Sequence, residues 1–225
     1  EESQRRAGLF LQGMASAFNA AGEIWAPRYR QAAFGAFLTD KPEAQQAIDA
    51  AYAEYVMQND YEPGIRLVND AGNVMMTRTF SKIYGLAGLR LGWAYCSAPV
   101  ADVLNRVRGP FNVTLAAQTA GIEALHDVAF MDRARSHNEH WREWLKDQLV
   151  AIGLEIVPSV ANFLLVRFSG DRGKDAKSAD AHLSSQGILV RAMDAYGLPD
   201  CLRITIGLED DNLAVVRALT PFMAN

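Results

Sequence analysis

From residue 74 to the C-terminus, short apolar runs of strand length alternate with segments whose apolar residues recur at helical spacing. That order restricts the chain to α/β architecture. Residues 74–80 read as a strand that carries a basic residue and ends at a serine and a lysine, and 91–96, "LGWAYC", read as the next. Val103, Leu104 and Val107 place a short amphipathic helix over 100–108, which Gly109 and Pro110 cannot continue. A long helical pattern follows from 115 to about 149, with Trp141, Trp144, Leu145 and Leu149 at core-like spacing. Strands at 155–157 and 162–168, a polar helix at 174–186, strands at 188–191 and 202–206 and a last helix at 209–222 complete the pattern. The second half thus predicts a compact α+β domain of about 100 residues, beginning inside the long helix.

Composition narrows the function. Half of the 225 residues are hydrophobic and 21% are charged, with a net charge of -4. This is globular composition without the basic face that a nucleic-acid binder needs, so small-molecule partners are expected and no nucleic acid. No apolar run approaches the ~20 residues of a membrane span, and the acidic start "EESQRRAG" is no signal peptide. A cytoplasmic location is expected. Cys96 and Cys201 lie in apolar strand-like runs, too few and too far apart for a disulfide framework or a zinc cluster, and are expected to be buried thiols.

The chemistry concentrates in "TRTFSKIYGLAGLRLGW", residues 77–93. An amine attacks carbonyls only when neutral, a state favoured by an apolar or cation-rich pocket. Around Lys82, Met75, Met76, Phe80, Ile83 and Leu86 supply apolar surroundings, and Arg78 and Arg90 supply positive charge. Thr79 and Ser81 offer hydroxyls, Gly85 and Gly88 let backbone approach, and Arg90 offers the planar fork that grips a phosphate. Together these are the parts of a pocket that holds a phosphate beside an imine-forming lysine. A nucleotide loop of the form G-x-x-x-x-G-K-[ST] does not occur.

This segment resembles the lysine segment of class II, fold-type I pyridoxal-phosphate aminotransferases, and most of all the histidinol-phosphate aminotransferases. "DAAYAEYV" at 49–56, "RGPFNV" at 108–113, "PSVANFLLVRF" at 158–168 and "YGLPDCLRITIG" at 196–207 resemble further segments of that family, in its order. The resemblance implies an α/β fold with a partial large domain, three-layer α/β/α, over 48–127 and a small α+β domain over 128–225. It also implies pyridoxal 5'-phosphate as cofactor. Lys82 would carry it covalently and shuttle the substrate's proton. Asp49 would pair with the pyridinium nitrogen and Tyr52 would bond the ring's phenolic oxygen. Thr79, Ser81 and Arg90 would hold the phosphate, and Arg203 would take the anionic end of the substrate. For Asp49 an ordinary turn or cap position remains open, and for Arg203 a surface ion pair. The implied reaction moves an amino group between histidinol phosphate and 2-oxoglutarate, giving glutamate, in a homodimer. An aromatic aminotransferase or an amino-acid-phosphate decarboxylase on the same scaffold is the alternative.

Residues 1–47 depart from that family. They lack its Asn-Pro-x-Gly motif and its glycine-containing phosphate loop, and instead resemble an α/β-hydrolase-like family, although no G-x-S-x-G elbow occurs. The chain is therefore expected to be chimeric or truncated, with an inactive remnant as one outcome. "WAPRYR" at 25–30 is a single aromatic-basic copy in an acidic chain. His137 and His140 sit three apart on the long helix with no carboxylate or cysteine pattern to complete a site, so no metal is expected and both histidines are read as exposed. Glu209, Asp210 and Asp211 suit the start of the last helix, where negative charge complements the helix dipole.

Overall fold

The computed structural model describes residues 51–56, 64–70, 75–171 and 173–224. Asp49, the segment 1–47 and the 25–30 stretch lie outside the described residues. The chain divides into two units: Glu1–Ala53 with Met57–Val128, and Glu54–Val56 with Ala129–Asn225.

In the first unit the described elements are α1 (Ile65–Asp70), β1 (Met75–Thr79), β2 (Gly92–Cys96), α2 (Ala98–Val107) and α3 (Leu115–His126). β1 and β2 pair antiparallel, with Met75 opposite Cys96 and Thr79 opposite Gly92. Along β1 and just past it, Met76, Arg78 and Phe80 are buried while the alternate Met75, Thr77 and Thr79 are half-buried, which is the period of two of a strand with one face inward. α3 starts where the Thr114 hydroxyl accepts from Ala117 N at 3.1 Å, satisfying one of the helix's orphan donors. Its buried face consists of the small residues Ala117 and Gly121. A Cβ on Gly121 would stand 2.4 Å from Leu91 Cδ2, so the absent side chain is what lets α3 lie against the loop ahead of β2.

The second unit contains α4 (Val128–Ala151, its first residue belonging to the first unit), β3 (Glu155–Val157), β4 (Phe163–Arg167), α5 (Ala176–Ser185), β5 (Arg191–Ala192), β6 (Cys201–Thr205) and α6 (Glu209–Ala224). The four strands form an antiparallel sheet in the order β3-β4-β6-β5. Leu164 and Val166 of β4 and Leu202 and Ile204 of β6 share one face and pack with Leu145 and Leu149 of α4, Ala179 and Leu183 of α5, and Val215 and Leu219 of α6. Phe163, Leu165, Arg203 and Thr205 alternate onto the other face. Gly153, at φ 88, reverses the chain after α4, with Leu154 N donating to Leu149 O at 3.1 Å. Asp175 caps α5 by accepting from Ser178 N at 2.9 Å.

Four expectations change. The single helix over 115–149 is two helices, because Asp127 adopts φ -84 and ψ 66 and breaks the pattern. The strand expected at 188–191 contributes only the pair Arg191–Ala192, since Leu189 is 85% exposed and the partner β6 meets only those two residues. Cys201 is buried as expected, but Cys96, at the end of β2, is only half-buried. His137 is half-buried rather than exposed: its Nε2 lies 2.9 Å from Gly207 O, while His140 is exposed. Among the described residues no helix is long and apolar enough to cross a membrane, and no group of three or more His, Cys, Asp and Glu could hold a metal ion.

Candidate active site

The loop over 80–91 leaves β1 and re-enters at β2, and its backbone closes on itself. Phe80 N donates to Leu91 O at 3.1 Å and Leu86 N to Phe80 O at 3.0 Å, while Gly85, at φ 68, allows its N–H to reach Lys82 O at 2.9 Å. The Thr79 hydroxyl accepts from Ser81 N at 3.0 Å, a side-chain turn that bends the chain out of the strand. Phe80 and Ile83 anchor the loop, at 5% and 2% exposure. Lys82, between them, is half-buried. Its Nζ lies over the Tyr52 ring, 5.2 Å from the centroid, within cation–π range.

Arg90 follows the short 3-10 turn Ala87–Leu89 with φ 54, a left-handed conformation that non-glycine residues seldom adopt. Its Nη1 donates to Ala87 O at 2.7 Å, fixing one arm of an exposed guanidinium. Gly92 closes the loop at close quarters, since a Cβ there would meet Arg78 O at 2.8 Å.

In the second unit, Arg203 is half-buried on β6, with its guanidinium 5.0 Å from the Phe163 ring centroid. In the sheet register Arg203 stands directly opposite Arg191 of β5. Opposite residues of an antiparallel pair share a face, and like charges so placed repel. Arg191 rests over the Tyr196 ring at 5.4 Å and donates from Nη2 to Tyr196 Oη at 2.8 Å.

The structure therefore brings Tyr52 and Lys82 together, sets Thr79 and Ser81 at the root of the same loop and Arg90 near its far end, and places Arg203 in the second unit. Asp49 lies outside the described residues. The position of Arg191 beside Arg203 was not among the sequence expectations. The signal was present, an arginine in each of two strand-like runs, but strand order and register were not readable across the turn at 193–200.

A family model, aminotransferase class I and II, matches residues 14–219, so the match begins inside the segment 1–47 that was expected to depart from this family. A histidinol-phosphate aminotransferase of Paramagnetospirillum magneticum is 58% identical over 176 residues, 78% of this chain and 48% of its own length. One of Maricaulis maris is 54% identical over 78% of this chain and 49% of its own length. The chain spans about half the length of the curated relatives it matches. Among solved structures, the histidinol-phosphate aminotransferase of Sinorhizobium meliloti in complex with pyridoxal-5'-phosphate shares 29% identity and a TM-score of 0.68, over 81% of this chain and 52% of that one. The α/β fold expected from the sequence, that of the fold-type I transferases, is thus shared with solved relatives. A family match over most of the chain leaves one assignment: it belongs to the class I and II aminotransferases.

Proposed function

We propose that this chain carries the lysine loop and the small domain of a pyridoxal-phosphate-dependent aminotransferase that moves an amino group between histidinol phosphate and 2-oxoglutarate. The observation that carries the reading is the half-buried Lys82 amine over the Tyr52 ring, near the start of a loop with hydroxyls at that end and an arginine at the other. The relatives at 58% and 54% identity, both named for histidinol phosphate, support the choice of substrate.

The residues present fit such a cofactor. Lys82 offers a half-buried primary amine, Tyr52 a ring and a phenol beside it, and Ser81, Thr79 and Arg90 the donors that a phosphate requires. When bound, pyridoxal phosphate supplies a carbonyl for the amine and a ring that draws electrons from the substrate's Cα. Lys82 Nζ would hold the cofactor through its carbonyl and, when free, would serve as the base and acid that moves the proton at the substrate's Cα. The turn made by Thr79 and Ser81 fixes where the Lys82 backbone starts, and so where Nζ can reach. Tyr52 limits the swing of the amine and, through its hydroxyl, would bond the cofactor's phenolic oxygen. Asp49 would hold the proton on the ring nitrogen.

In the second unit, Arg203 takes the anionic end of the substrate, and Arg191, opposite it in the sheet, adds a second cation. Two neighbouring cations suit a phosphate or a carboxylate, which relieves their mutual repulsion on binding. A homodimer in the cytoplasm completes the proposal.

The test is direct. The chain is mixed with pyridoxal phosphate, reduced with borohydride and mapped by mass spectrometry, and glutamate release from 2-oxoglutarate and histidinol phosphate is then assayed. Label on Lys82 with glutamate release is the expected result. Label scattered over surface lysines would overturn the reading.

A further inference from the structure

The guanidinium of Arg203 lies against an aromatic ring, and the backbone that carries this ring is held on several sides. We propose that Phe163 is a positioning residue that holds the Arg203 guanidinium ready for an anionic substrate group. The proposal rests on the reading of Arg203 as the substrate's anion partner.

Phe163 opens β4 opposite Thr205, while Arg203 lies opposite Leu165. The two are therefore diagonal neighbours on one sheet face, a separation that aromatic and long side chains bridge. The ring is only 4% exposed, and the guanidinium stands 5.0 Å from its centroid. A guanidinium over a shielded ring face is attracted more strongly than one in open water. The ring also narrows the rotamers open to a long side chain, so less freedom is lost when an anion binds.

The ring's own position is fixed from several sides. Ser159 Oγ donates to Phe163 O at 2.8 Å and accepts from Ala161 N at 3.1 Å. From α4, Asn138 Nδ2 donates to Ala161 O at 3.3 Å and Arg142 Nη1 to Val160 O at 3.4 Å. Ile206 N donates to Asn162 O at 2.9 Å, tying the turn before Phe163 to the residue just beyond β6. The turn over 159–162 is thus bonded both to α4 and to the chain that carries Arg203, so platform and cation share one hydrogen-bonded frame.

The test uses the purified chain with glutarate and inorganic phosphate as probes, affinity by calorimetry, and the Arg203 Nε–H signal by nuclear magnetic resonance. Arg203→Gln is the control for the underlying reading. Phe163→Leu is expected to lose the ring-current shift of the Arg203 Nε–H signal and to weaken glutarate binding about fivefold. Phe163→Tyr is expected to retain both. Should Phe163→Leu fail to fold, fluorinated phenylalanines at 163 keep the shape and drain the ring's negative face, and affinity should fall with each added fluorine. Unchanged affinity in Phe163→Leu and across the fluorinated series, with binding lost in Arg203→Gln, overturns the role of Phe163 alone. Unchanged binding in Arg203→Gln removes the anion-partner reading, and the proposal with it.

Discussion

Lys82 Nζ stands over the Tyr52 ring, 5.2 Å from its centroid, so residues thirty positions apart in the chain come together. The contact joins the turn at 51–52 to the loop after β1. It limits where the amine can swing. If Lys82 is the cofactor's attachment point, Lys82→Ala should lose the borohydride-fixed label at that peptide and at least about 100-fold in transamination rate, the usual worth of a placed proton carrier. Tyr52→Phe keeps the ring face and should retain the label, whereas Tyr52→Ala should reduce its yield. Peptide mapping of the three variants decides the matter, and equal labelling of Tyr52→Ala and the parent chain would remove Tyr52 from the site.

Among the described residues of the first unit, the close-approach glycines Gly92 and Gly121 should respond differently to the same change. At Gly92 an added Cβ would meet the backbone oxygen of Arg78 at 2.8 Å, and a carbonyl in a paired strand has nowhere to go. Gly92→Ala should cost about 1–3 kcal/mol. At Gly121 the Cβ would meet Leu91 Cδ2 at 2.4 Å, but that atom is the tip of a side chain that can rotate. Replacing a mid-helix glycine also returns about 1 kcal/mol of helix propensity. Gly121→Ala should therefore lie near neutrality. Urea unfolding midpoints of the two variants provide the comparison, and the reverse order would show that Leu91 is as rigid as the backbone.

Much of this was legible because it depends on local pattern. The strand over 74–80, the lysine at its end and the amphipathic helix over 100–108 follow from residue spacing, and the described elements fall within two residues of those bounds. The break between α3 and α4 was not legible. Residues 115–149 have continuous helical composition, and the interruption rests on the conformation of Asp127 alone. Arg191 was missed for a different reason. Which strand pairs with which, and in what register, depends on contacts distant in sequence, and a slip of one residue would put Arg191 on the other face. His137 was misread because a helix position says which face a side chain occupies but not which carbonyl, here Gly207 O, comes to meet it.

The two thiols should differ in reactivity. Burial, reinforced by the neighbouring Asp200 carboxylate, pushes the Cys201 thiol up from its ordinary 9.0 to about 11, against the opposing pull of Arg167. At pH 8 only about a thousandth of it is thiolate. Iodoacetamide should thus modify half-buried Cys96 while Cys201 stays protected until the chain unfolds. Because the folded state binds this proton more tightly, stability should be unaffected below about pH 9 and fall as pH rises toward 11. Mass spectrometry of timed alkylation checks the first expectation and melting at graded pH the second. Alkylation of Cys201 at the rate of Cys96 would mean that β6 opens readily.

The cross-strand pair of Arg191 and Arg203 makes a prediction in which stability and binding move in opposite directions. Placed opposite one another on β5 and β6, the two cations repel, at a cost of about 0.2–1 kcal/mol for directly opposed like charges. Tyr196 offsets part of this by accepting from Arg191 Nη2 and lying beneath its guanidinium. An ordinary structural position would lose stability when its hydrogen-bonded arginine is removed. A cation kept for an anionic ligand behaves in the opposite way: Arg191→Gln should melt at the same temperature as the parent chain or higher in phosphate-free buffer. The parent chain should gain melting temperature as inorganic phosphate is added, because a ligand that binds only the folded state stabilises it, and Arg191→Gln should lose most of that gain. Arg66→Gln, in the other unit and in an exposed i,i+4 ion pair with Asp70, serves as a control for general screening by salt. If both variants lose the phosphate response equally, the effect is screening, and Arg191 has only the structural task of carrying Tyr196.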